Sequence, residues 1–277
     1  MLGPALLFCP GDRPDRYAKA AASADAVIID WEDAVGLDAK PSARAALLGA
    51  HLDPERTWVR VNPRATGLLD ADLAVLRRTP FRQVVLAKAE TLDDLVPLSG
   101  LQVLAICESP LGVRNAELLA DAEDVVALTW GAEDLLAAMG GTSSRFPDGS
   151  YRAYAQYARA RVLIAASSAG KPAVDTVHLD IDDDTGLRGE ARDAAASGFV
   201  GAMCIHPRQV PIIREAFRPS AESAAWARGV LEAAAQAGGG VFAHQGRMVD
   251  GPVLAQARRI VDAVGEEGAQ HPFTGSP

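Results

Sequence analysis

Short apolar runs recur along the chain, each closed by a polar or glycine-containing break and followed by a segment rich in alanine and leucine. The runs cover 5–9, 26–30, 57–61, 83–87, 103–107, 125–129, 173–178 and 201–205. They are short and mostly unalternating, the pattern of parallel strands buried on both faces. Between them, residues 38–50, 111–120 and 151–168 carry apolar positions at helical intervals. Eight strands alternating with helices predict an α/β fold, a (β/α)8 TIM barrel, rather than an open sheet. No G-x-G-x-x-G follows any strand, so an open doubly wound sheet lacks its usual signature. The barrel is assigned to 1–237 and a C-terminal arm to 238–277, with a glycine linker at 238–240 and a frayed polar tail from 266. The arm carries a short strand or turn with Asp250, then an amphipathic helix that packs on its own barrel or crosses to cap a neighbouring subunit's site.

Barrel enzymes place their chemistry where strands run into the following loops. In this chain almost every strand ends in something ionisable. Arg13, Arg16 and Lys19 follow the first strand, spaced to share one helix face. Glu32 and Asp33 follow the second, with Lys40 and Arg44 on the next helix. Arg60 lies in the third strand, Lys88 ends the fourth, Glu108 the fifth, and Glu133 with Asp134 the sixth. Asp180 and His206 close the set. Glu108 and Asp134 are 26 residues apart, one strand–helix repeat, which sets them at the same ends of strands about 4.8 Å apart. Carboxylates that close repel unless a proton or a metal lies between them. Magnesium accepts one or two carboxylates, with water and substrate oxygens completing its shell. The other readings are a first-turn helix acid for Asp134 and an ion pair with a rim arginine for Glu108. Arg60 fits either a bidentate clamp on a substrate carboxylate or a salt bridge to one of the acids.

Composition narrows the function classes. With 49% hydrophobic residues in 277 the chain supports a large core, and a net charge of −9 argues against nucleic acid or anionic membrane as partner. Cys9, Cys107 and Cys204 sit in apolar runs without C-x-x-C spacing, which predicts core packing and a reducing, cytoplasmic setting. The N-terminus lacks the pattern of a signal peptide, and no run reaches the length of a membrane span.

Several stretches share one pattern: L-F-C-P-G-D-R-P-D-R-Y-A-K-A, I-I-D-W-E-D-A-V-G, V-R-V-N-P, L-A-K-A-E, W-G-A-E-D-L-L-A-A-M-G-G, C-I-H-P-R-Q-V and G-R-M-V-D-G-P-V-L. In this order they resemble the citrate lyase β-subunit-like family of the HpcH/HpaI aldolase/citrate lyase superfamily, related to malyl-CoA lyases. The resemblance implies a Mg²⁺-dependent carbon–carbon lyase that cleaves a malyl-, citramalyl-, citryl- or hydroxymethylglutaryl-type thioester by retro-aldol chemistry. The alternatives are a thioesterase on the same substrates and a non-autonomous subunit of a citrate-lyase-type complex. It further implies Glu108 and Asp134 as metal acids, Arg60 as the substrate-carboxylate clamp, and Glu32 and Asp33 as water-holding groups. Gly131, Ala132 and Glu133 would join Arg60 and Glu108 against the substrate, and Arg13 with Lys19 would meet its CoA or acyl-carrier end. Asp250 would be the acid–base group, delivered from a neighbouring protomer of a homo-oligomer, a trimer or hexamer. Trp31 stands where many relatives carry leucine, which bears on pocket size.

Overall fold

The apolar runs form eight parallel strands that curl into a ring. The computed structural model describes residues 3–269 other than 239. The strands are β1 (Ala5–Pro10), β2 (Ala26–Asp30), β3 (Thr57–Val61), β4 (Gln83–Leu86), β5 (Gln102–Cys107), β6 (Val125–Trp130), β7 (Val174–Asp175) and β8 (Gly201–Cys204). They are ordered β6-β5-β4-β3-β2-β1-β8-β7 in the sheet. The ring closes between β6 and β7 through one parallel bridge, Leu128 to Ala173, with the Leu128 N–H donating to the Pro172 carbonyl at 3.1 Å. This is the expected TIM barrel, with β7 much shorter than the run at 173–178 predicts. Beyond Asp175 polar side chains take over: Asp175 accepts from Trp130 Nε1 at 2.6 Å and from Arg159, and His178 turns to Glu190 at 2.9 Å.

Strands with both faces buried need two cores, and the residues sort by period two into an inner and an outer set. Leu6, Ile28, Trp58, Val85, Leu104, Ile106, Ala127, Val174 and Met203 fill the barrel. Leu7, Ile29, Val59, Val61, Leu86, Ala105 and Leu128 face outward onto helices whose alanines permit close approach. Cys9, Cys107 and Cys204 are unpaired and buried, which pushes their thiols well above the usual range, as core packing requires. The helix expected over 111–120 is two short ones, Pro110–Arg114 and Ala116–Asp121. They break at Asn115, whose side-chain amide donates instead to the Glu90 carbonyl.

The chain divides into two compact units, Met1–Phe217 and Arg218–Pro277. In the second, helix Ala221–Ala237 packs with helix Gly251–Ala269 around Ala227, Val230, Val249 and Ala257. The sequence reading divides the chain later, after 237. A hairpin of β9 (Phe242–His244) and β10 (Arg247–Val249) precedes the last helix. Its two-residue turn, Gln245 and Gly246, has φ of 48° and 76°, the left-handed pair that matches strand twist. The linker at 238–240 includes a residue outside those described, and of the tail read from 266, residues 266–269 belong to the last helix while the rest lie outside those described. Among the described residues, no helix is long and apolar enough to cross a membrane.

Candidate active site

Period-two alternation carries the inner face of the barrel up to its mouth. Ile28, Trp58 and Ile106 belong to the inner core, so the residues two positions on, Asp30, Arg60 and Glu108, enter the mouth together. The Arg60 guanidinium is held bidentately by Asp30, Nε to Oδ1 at 2.7 Å and Nη2 to Oδ2 at 2.5 Å. Its Nη1 lies 3.2 Å from Glu32 Oε2, and its plane covers Phe8 at 4.8 Å. Burial works against the Arg60 cation, but Asp30 and then Glu32 and Glu108 outweigh it and raise its pKa. Asp30 is 1% exposed and also accepts the N–H groups of Glu32 at 2.8 Å and Ala34 at 3.2 Å. One carboxylate thus fixes both the arginine and the loop bearing Glu32.

Glu108 is 4% exposed, and burial pushes its carboxyl up to about 8, with the like charge of Asp134 adding to the rise. Arg60 and Lys88 oppose that shift. The Lys88 N–H donates to Glu108 Oε1 at 2.8 Å. The Lys88 ammonium reaches Glu32 Oε1 at 2.5 Å, Asp33 Oδ2 at 3.2 Å and Asp134 Oδ1 at 3.2 Å. Burial raises the Glu32 pKa despite Arg60 and Lys88, whereas at Asp33 burial is outweighed, first by Lys88, and its pKa falls. Gly131 passes so close that a Cβ there would lie 2.7 Å from Glu108 Oε2 and 2.9 Å from Glu108 Cβ. Gly131→Ala should therefore displace the Glu108 carboxylate and lower the melting temperature by several degrees, measured by thermal denaturation. An unchanged melt would show that Glu108 has room to move.

Structure brings Glu32, Asp33, Arg60, Glu108 and Asp134 together, all candidates read from the sequence. Asp134 lies in the first turn of helix Ala132–Met139, so it suits the helix dipole and faces the acid cluster at once. Glu133 turns elsewhere and accepts from Ser144 Oγ at 2.6 Å. Arg13 is paired with Asp15 at 2.8 Å, while Arg16 and Lys19 are exposed on helix Pro14–Ser23. Trp31 points behind the sheet: it is fully buried in the outer core, with Gly11 so close that a Cβ there would meet its ring at 2.6 Å. It does not narrow the mouth. Asp250 lies in the second unit, capping the last helix through the Val253 N–H at 3.4 Å.

Sequence reading missed Asp30 and Asp72. Asp72 is fully buried and binds Arg44 Nε at 2.6 Å and the Asn62 N–H at 2.7 Å, while Lys40 Nζ donates to the Trp31 carbonyl at 2.7 Å. These bonds brace the loops after β2 and β3. For Asp30 the available signal was an acid closing an apolar strand two residues beyond the inner Ile28. A separate hollow of about 950 Å³ lies beside β7, lined by Arg145, Tyr151, Arg159, His178 and Glu190. Its charges pair across it, Arg145 with Glu190 and Arg159 with Asp175 and Asp193.

The donor set in the mouth fits a hard divalent cation. Among the described residues no three His, Cys, Asp or Glu groups converge as a cage. Two carboxylates at neighbouring strand ends remain, one so buried that it is driven towards protonation, and an oxygen-loving ion would relieve both burial and repulsion.

The model of the HpcH/HpaI aldolase/citrate lyase family matches residues 5–207, spanning β1 to the loop after β8. The chain belongs to this family. Within it, the chain is 50% identical to a citrate lyase subunit beta-like protein of Mycobacterium tuberculosis over 95% of this chain and 96% of that one. It is 29% identical to the mitochondrial citramalyl-CoA lyase of Homo sapiens over 93% of this chain and 84% of that one. The crystal structure of CitE from Mycobacterium tuberculosis, in complex with magnesium, acetoacetate and coenzyme A, superposes with a TM-score of 0.92 at 49% identity, covering 95% of this chain and 98% of that chain.

Proposed function

We propose that this chain is a Mg²⁺-dependent lyase that cleaves the carbon–carbon bond of a 3-hydroxyacyl-CoA thioester, yielding acetyl-CoA or another acyl-CoA and an oxo acid. The observation that carries the reading is the buried Glu108, paired with Asp134, facing an Arg60 already oriented by Asp30. The ligands of the Mycobacterium tuberculosis CitE structure, magnesium, an oxo acid and coenzyme A, support it. Glu108 and Asp134 would hold the ion, which when bound polarises the substrate's hydroxyl and the carbonyl formed from it.

The chain's own residues supply the rest. Asp30 occupies the Nε and Nη2 side of Arg60, and the terminal carboxylate of the substrate would take the Nη1 edge, which Glu32 Oε2 meets at 3.2 Å in this structure. Glu32 and Asp33 hold water at the same rim, with Gly131 and Ala132 beside Glu108. Arg13 and Lys19 offer positive charge to the phosphates of CoA. As the bond breaks, water held at Glu32 and Asp33 takes the hydroxyl proton, and the electron pair of the carbon–carbon bond passes to the α-carbon of the thioester. Asp250, acting as a carboxylic acid, gives its proton to that carbon and regains one from water. We assign Asp250 to a neighbouring protomer of a homo-oligomer. Asp250→Asn should stop turnover and spare oxo-acid binding. Mixing Asp250→Asn with Arg60→Met subunits should restore activity, measured after exchange; a mixture as inactive as its parts places Asp250 in its own subunit.

The reading is tested by incubating the isolated protein with malyl-, citramalyl-, citryl- and hydroxymethylglutaryl-CoA and identifying the products. Acyl-CoA plus oxo acid, abolished by EDTA, is expected. Free hydroxy acid and CoA would replace lysis by hydrolysis, and full activity in EDTA would remove the metal.

A further inference from the structure

Lys88 follows β4 with φ of +52°, a left-handed conformation that glycine adopts freely and lysine does not. Yet the two ends of this residue reach different members of one acidic cluster. Its N–H fixes Glu108 Oε1 at 2.8 Å, and its ammonium lies 2.5 Å from Glu32, 3.2 Å from Asp33 and 3.2 Å from Asp134. Asp30 and Arg60 already match each other through two hydrogen bonds. Glu32 also meets Arg60 Nη1 at 3.2 Å, and the Lys88 ammonium is the cation that spans Glu32, Asp33 and Asp134.

We propose that Lys88 is a built-in counter-cation that holds the acidic cluster together without metal and competes with the divalent ion for it. The inference rests on the metal reading of Glu108 and Asp134. At these separations, in a mouth partly shielded from water, an ammonium raises the potential felt by an incoming cation. It therefore weakens metal binding relative to the bare acids, and in exchange keeps them from repelling one another before the ion arrives. Lys88 acts as a positioning residue, because its effect on the ion passes through the carboxylates it binds. In this left-handed conformation one residue holds Glu108 through its N–H and Glu32, Asp33 and Asp134 through its ammonium.

The test is calorimetric titration of Mg²⁺ into metal-stripped protein, with thermal melts before and after loading. Lys88→Met should bind Mg²⁺ about tenfold tighter than wild type, while its metal-free melting temperature falls and the rise on loading grows. Lys88→Arg restores the charge and should return the affinity to within about threefold of wild type. Equal or weaker binding by Lys88→Met overturns the proposal, since a merely structural lysine would loosen the site when lost. If Lys88→Met does not fold, Lys88→Gln is to show the same tightening and is judged by the same rule. Absence of Mg²⁺ binding by active wild-type protein would instead refute the metal reading, and this inference with it.

Discussion

Glu108→Gln should abolish Mg²⁺-dependent cleavage and, in metal-free protein, make stability insensitive to pH where the wild type loses it. The buried Glu108 carboxyl is raised from an ordinary 4.5 to about 8. In the folded state it keeps its proton over a range where the unfolded chain has released it, so stability falls as pH rises. The contribution is fully present below the unfolded value and is lost as pH climbs through the folded one. On linkage arithmetic the loss is on the order of 3–5 kcal/mol between about pH 4.5 and 8. Glutamine has the shape of the protonated acid and no charge to bury, so the slope should disappear. Melts in EDTA from pH 5 to 9 read this directly, and parallel curves for the two proteins would show that another group titrates. Added Mg²⁺ should stabilise wild type most at the alkaline end, where the carboxylate is ionised, and should leave Glu108→Gln unmoved. Turnover should fall by about 10³-fold, the scale of losing a Lewis acid. Retained turnover would remove Glu108 from the metal.

Arg60→Met should damage stability and catalysis for separable reasons. Asp30 is 1% exposed, and without Arg60 it keeps only the Glu32 and Ala34 N–H groups. Breaking a buried pair from one side costs about 3–5 kcal/mol, because the remaining charge has lost its partner. Adding Asp30→Asn to Arg60→Met should recover most of that loss, since a neutral amide tolerates burial, while turnover stays down by about 10³-fold. Denaturant unfolding and steady-state kinetics on the two single variants and the double variant complete the cycle. Arg60→Lys should keep the fold and lose most turnover, because an ammonium cannot offer one edge to Asp30 and another to a substrate carboxylate. Normal turnover by Arg60→Met would make the arginine a structural partner of Asp30 alone.

The barrel was legible because parallel strands buried on both faces must be short apolar runs. β2 and β3 have the bounds read from the sequence, and β1, β4, β5, β6 and β8 differ by one residue at an end. β7 was not legible, since Val177 and His178 look like strand in one dimension and are diverted by a charge network assembled from distant segments. The rim was legible as a ring of ionisable strand ends. Which of them meet was not: Glu133 and Asp134 are neighbours in sequence and face different surroundings. Asp30 escaped notice because its importance lies in pairing with Arg60, 30 residues away. Lys88 was visible only as a charge, because a positive φ cannot be read from a lysine.

Seven of the barrel's eight seams are strand ladders, and the eighth is a single bridge between Leu128 and Ala173. A hoop with one loose stave deforms there first. β5 and β6 are laddered from Val103 to Trp130 on the stiff side of that joint, so Glu108 and Asp134 ride together on one rigid arc. Slack in the hoop falls beyond β6, where the chain can breathe or change without altering the distance between the two acids.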